Sequence, residues 1–160
     1  MIKKIGLFFL CFPLVMFVIE TLFFIIGWHV NCFAFIFAFI LVIGYILRNT
    51  SKKIRLKSIC WFVGITLASI FIGANVYDAS YDGQWYHSSI IKLMNDGWNP
   101  FYHPILQQDE VPYYTNTHIW VSHYAKGMET IEAGIVALTG NLESGKTLNI
   151  FLAISLFCFV

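Results

Sequence analysis

Charge is what this sequence has least of. Only 12% of its 160 residues are charged, 58% are hydrophobic, and the mean hydropathy is +0.70. An ordinary soluble domain is thereby excluded, because the apolar residues come in runs longer than a soluble core helix needs. The four cysteines, Cys11, Cys32, Cys60 and Cys158, lie in or beside apolar runs at spacings that fit neither a metal knuckle nor a disulfide framework, so they read as small packing residues. The chain has no internal repeat and no low-complexity tract. Its charged start, Lys3-Lys4, precedes an apolar run too long for a signal peptide and without a small-x-small cleavage site.

What is present is a set of apolar segments. Spans are expected over about 5–28, 32–47 and 58–76, the second only just long enough to cross a hydrocarbon core. Trp28-His29-Val30-Asn31 reads as a tight turn between the first two, and Glu20 is an acid inside the first, which makes it a functional hypothesis by default. Lys3, Lys4, Arg48, Lys52, Lys53, Arg55 and Lys57 are seven of the ten basic residues, concentrated at the start and in the linker 48–57. Short basic loops stay cytoplasmic, so the N-terminus is expected inside and the stretch 77–127 outside. The linker's charges mark topology, and no nucleic-acid partner is expected. A helical pattern over about 124–142 suits a segment re-entering the membrane. The apolar run from Leu148 is still running at Val160, which reads as the N-terminal part of a larger protein. The expected fold is therefore an all-α integral membrane bundle: spans over 1–76, an extracytoplasmic acidic and aromatic loop over 77–127, and a re-entering helix with the start of a further span over 128–160.

That external loop carries the chemistry. Asp78 and Asp82 stand directly after the third span, among Tyr77, Tyr81 and Trp85. Carboxylates at a membrane surface take a proton from a hydroxyl or bind a divalent cation such as Mg²⁺ or Mn²⁺. An N-terminal helix cap is the structural alternative, because Ser80 or Asp82 suits the start of a helix running to about Asn95, stopped at Gly97 and Pro100. Tyr86, Ile90, Leu93, Met94 and Gly97 share one face of that helix, with Trp85 and Ile91 beside it, as in an amphipathic helix lying in the membrane interface or against the spans. Asp109-Glu110, between Pro104 and Pro112, is a second acid pair and a lesser metal candidate. His87, His103, His118 and His123 lie in the same loop. Without paired ligand spacing they suit sugar or phosphate contacts better than zinc. Trp85, Trp98, Tyr102, Tyr113, Tyr114 and Trp120 fit either a sugar platform or an interfacial belt.

Asp82, Tyr86 four residues on, and the closing Gly97 and Pro100 resemble the first external loop of polytopic membrane glycosyltransferases. These enzymes form the polyprenyl-phosphate-sugar-dependent (GT-C) superfamily, with the dolichyl-phosphate-mannose and aminoarabinose transferases among its members. His123-Tyr124-Ala125-Lys126-Gly127, with Leu138-Thr139-Gly140 further on, is similar to the stretch where such enzymes re-enter the membrane. The resemblance covers roughly 77–150. It implies sugar transfer from a polyprenyl-phosphate donor to an acceptor on the extracytoplasmic face. Asp82 would be the catalytic or metal-linked acid, Asp78 would support it, and Tyr86, His87, His103 and Trp98 would contact the donor. Here the loop follows the third span rather than the first, and Gly83 replaces the second of two adjacent acids, so Asp78 and Asp82 both stay in play. The alternative function is a transporter or assembly subunit with a structural loop.

One motif points elsewhere. Gly140 to Thr147 fits G-x-x-x-x-G-K-T, the phosphate-binding loop of nucleotide hydrolases. That loop needs a strand before it and a sheet around it. Between two apolar helical runs it reads as a polar turn, with no ATP partner.

Overall fold

The computed structural model describes residues 2–111 and 117–160; Pro112, Tyr113 and Tyr114 lie outside the described residues. The described residues form seven α-helices and no strand. The helices are α1 (Ile2–Ile25), α2 (Phe33–Asn49), α3 (Lys52–Asn75), α4 (Ser88–Asn95), α5 (Thr117–His123), α6 (Gly127–Thr139) and α7 (Thr147–Phe159). A π-helical turn, Gly83–His87, leads into α4, and 3-10 turns occupy Gln108–Glu110 and Leu142–Lys146. Three helical segments are long and apolar enough to cross a membrane: Ile2–Ile25, Lys52–Asn75 and Leu142–Phe159. The α2 helix, 17 residues long, is a shorter apolar helix of about 25 Å at about 1.5 Å per residue.

The basic linker is not a loop. The helices α2 and α3 run through it from both sides, leaving only Thr50 and Ser51 between them. Runs such as Lys52-Lys53-Ile54-Arg55-Leu56-Lys57 are good helix formers, and the Arg55 guanidinium donates to Thr50 O at 3.2 and 3.3 Å to close the corner. Lys4 Nζ donates to Asn49 O at 3.2 Å, so the start of α1 and the end of α2 lie together. All seven basic residues of these segments therefore gather at one end of the bundle.

Phenylalanine builds the interior. Phe9, Phe12, Phe62 and Phe151, from α1, α3 and α7, are fully buried, with ring centroids 5.2–5.6 Å apart in tilted and edge-on pairs. Each such pair contributes about 0.5–1.5 kcal/mol beyond burial. Gly6 lets α7 come close: a Cβ there would stand 2.6 Å from Cys158 Cβ. Ser155 Oγ donates to Gly6 O at 3.0 Å across the same crossing. At the opposite end Thr147 sits against Gly73 of α3, so α7 runs antiparallel to α1 and α3.

The segment after α3 caps the end away from the basic residues. Asn99 Nδ2 donates to Phe24 O and Trp28 O, and Tyr102 Oη donates to Ile25 O. A second core lies beneath this cap, made of Tyr86, Ile90, Ile91, Met94 and Trp98 with Phe24 and Val30, and with Ala133 and Val136 of α6. The amphipathic face expected of 85–97 is thus buried against α6 and α1 within the protein. Gly97 ends the helix with φ 108°, the left-handed conformation that favours glycine.

Candidate functional site

Where the chain leaves α3 it turns back on itself before entering the next helix. Ser80 Oγ accepts the Gly83 N–H at 3.1 Å and is the cap; the Asp82 side chain caps nothing. Asp78 Oδ1 accepts the Ser80 N–H at 2.9 Å, and Gln84 Nε2 donates to Asp78 O at 2.8 Å. The Ser80 bonds hold the Asp78 carboxyl below its ordinary 3.8. Of the two acids, Asp78 is therefore committed to shaping the turn. The Asp82 side chain is exposed and makes no hydrogen bond or ion pair among the described residues.

The two acids nevertheless share one cleft, about 660 Å³, formed between this turn, α6 and the 3-10 turn before α7. Asp78, Asp82, Glu132 and Glu143 supply carboxylates, His87 and Lys146 supply nitrogen, and Ser80, Gln84, Ser88 and Asn149 add polar lining. Burial pushes the Glu132 carboxyl up to about 8, with the Glu129 and Asp78 charges adding to the rise. Lys146 Nζ donates to Glu143 Oε2 and to Val76 O at the end of α3, and Glu143 Oε2 also accepts the Asp78 N–H at 3.0 Å.

The π-helical turn decides which residues reach the cleft. Its i→i+5 bond, Ser88 N–H to Gly83 O, lines Asp82 up with His87 rather than with Tyr86. His87 and Asp82 both line the cleft. Tyr86 is only 8% exposed and packs among Trp120, Tyr124 and Trp85, on the apolar face expected for it with Ile90 and Met94 and away from the cleft where the resemblance would have it contact a donor. His87 Nδ1 lies 2.5 Å from Oε1 of Glu129, a buried carboxylate on α6.

The other expected site residues lie elsewhere. Trp98 and His103 line a separate groove with Glu110. Trp98 Nε1 donates to His103 O at 2.8 Å, and His103 Nε2 pairs with Glu110 at 2.9 Å. Glu110 also accepts the Gln107 N–H as half of a capping box. Asp109 is exposed beside it. The Asp109-Glu110 pair is thus not brought to Asp78 and Asp82. The four loop histidines stay apart, each with its own partner: His118 with Gln108, His123 with Ile119 O, and the two already given. Among the described residues no three His, Cys, Asp or Glu side chains converge as a metal ligand set.

Glu129, Glu132, Glu143 and Lys146 belong to the site although the linear pattern did not single them out. One signal existed: Glu129 and Glu132, one helical turn apart, open an otherwise apolar helix. The G-x-x-x-x-G-K-T run is occupied with packing. Gly140 ends α6 in the left-handed conformation, φ 68°. Gly145 lets Glu132 and Ile91 approach, since a Cβ there would meet Glu132 Cβ at 3.2 Å. Thr147 packs on α3. No protein-family model, curated protein or solved structure matches this chain.

Proposed function

We propose that this chain is a multi-pass membrane protein that transfers a sugar from a polyprenyl-phosphate donor to an acceptor hydroxyl on the extracytoplasmic face. Asp82 acts as general base. The observation that carries this reading is the contrast between the two acids. Asp78 is consumed by the turn it builds, whereas Asp82 presents an uncommitted carboxylate to a cleft set at the head of the apolar helices. A base must reach the proton that it takes, and the Asp82 side chain is exposed at the cleft with no hydrogen bond among the described residues. The basic residues at the opposite end support an inside N-terminus. Among the described residues the carboxylates do not converge as a ligand set.

The test is transfer from a radiolabelled polyprenyl-phosphate sugar in native membranes. Asp82→Asn should lower the rate by about 10²-fold or more, the usual weight of a general base, and Asp78→Asn should lower it less. Full transfer by Asp82→Asn sinks the reading. Loss of wild-type transfer in a chelator, restored by Mg²⁺ or Mn²⁺, would make Asp82 a metal ligand instead of a base.

One observation favours a transporter. Glu20 is 0% exposed within α1, seated where Gly134 of α6 leaves room, and its oxygens meet no hydrogen-bond partner among the described residues. Solute flux that is lost in Glu20→Gln and kept in Asp82→Asn would select that reading.

A further inference from the structure

A donor phosphate entering this cleft meets Asp78, Asp82, Glu132 and Glu143, so its departure needs a positive donor. Lys146 already serves Glu143 and Val76 O. His87 is placed differently. Its Nδ1 is held at 2.5 Å by Glu129, which is 3% exposed, is absent from the cleft lining, and comes from a different helix 42 residues along the chain. The Tyr86 ring packs on the imidazole at 4.2 Å between centroids. These two contacts fix the plane of the ring and consume Nδ1. Nε2, which makes no hydrogen bond among the described residues, is left for the cleft, and the π-helical turn brings it to the side on which Asp82 stands.

We propose that Glu129 is a positioning residue that aims His87, and that the imidazolium Nε2–H donates to the leaving phosphate. This rests on the glycosyl-transfer reading above. In that step the acceptor oxygen bonds to the anomeric carbon as the bond from that carbon to the phosphate oxygen breaks. The electron pair stays with the phosphate, which His87 steadies by its hydrogen bond, and Asp82 takes the acceptor proton. Glu129 touches none of the reacting atoms.

Two measurements test this. The first needs no substrate: ¹⁵N spectra of histidine-labelled protein in detergent, with His87 assigned by its loss in His87→Asn. The wild type should show a protonated, hydrogen-bonded Nδ1, and Glu129→Gln should lose that signature. The second is transfer kinetics. Glu129→Gln should lower kcat about 10- to 100-fold, as loss of an orienting partner does, with a smaller change in KM. Glu129→Asp should recover part of the rate, and Glu129→Gln should add nothing once His87 is Asn. Wild-type kcat in Glu129→Gln alongside an inactive Asp82→Asn overturns the inference and leaves the parent reading standing. An active Asp82→Asn overturns both. A wild-type His87 without the protonated Nδ1 signature overturns the positioning role on its own.

Discussion

Gly83→Ala tests how the loop closes on Asp78. A methyl at residue 83 would stand 2.1 Å from Asp78 Oδ2, 2.4 Å from Ser80 Oγ and 2.7 Å from Asp78 Cγ. Free side-chain ends would swing away, but these are held. Asp78 Oδ1 accepts the Ser80 N–H, and Ser80 Oγ accepts the N–H of Gly83 itself. Relief therefore breaks at least one hydrogen bond to a charged group, about 1.5–3 kcal/mol. Against it stands the gain from replacing glycine by alanine in a helical turn, about 1 kcal/mol. The clash wins by about 0.5–2 kcal/mol, which is a rise of about 2- to 30-fold in local opening. Amide hydrogen exchange over residues 77–95 in detergent reads that opening directly. Faster exchange is expected in Gly83→Ala and Asp78→Asn, and no change in Asp82→Asn. Unchanged or slower exchange in Gly83→Ala would refute the assignment of Asp78 as the structural acid. The pH arm has a definite sign. Because the Asp78 carboxyl is held below 3.8, its contribution is present above that value and lost as the pH falls further.

Two further outcomes are expected. A single cysteine at Gln107, in a background without the native four, should react with a membrane-impermeant thiol reagent on intact cells. Labelling only after lysis would put the cleft in the cytoplasm and end the polyprenyl-donor reading. Glu132 carries the opposite pH sign to Asp78. Its raised carboxyl, at about 8, gives stability that is fully present below 4.5 and lost as the pH climbs through 8. Thermal stability in detergent should therefore fall between about pH 5 and 8, and Glu132→Gln should flatten that decline; an identical slope in both proteins would remove Glu132 as its cause.

The helices were legible wherever apolar runs were long. The α1 and α3 segments, the helix ending at Gly97, and α6 follow from periodicity and from glycine stops. The helical continuation through 48–57 was hidden because charge suggests a loop, whereas lysine and arginine propagate a helix well once it has begun. The α5 helix was missed because Thr117-His118-Ile119-Trp120 carries no cap and no clear period. The candidate site was half visible: Asp78, Asp82 and His87 stand in one stretch of sequence. Glu132, Glu143 and Lys146 reach the cleft only through the packing of α6 and α7, which no local pattern encodes. Tyr86 lies on the apolar face that its spacing to Ile90 and Met94 indicated, and only the donor contact implied by the resemblance is not brought to the cleft.

That turn also sets the helical phase. Each residue of an α-helix advances about 100°, so a single extra residue between Asp82 and Ser88 sets the polar approach and the apolar seam as independent registers. Ile90 and Met94 answer to the core, while Asp82 answers to the cleft. Deleting Gln84 would return this stretch to plain α-helix and leave Asp82 and His87 four positions apart, still on one helical face.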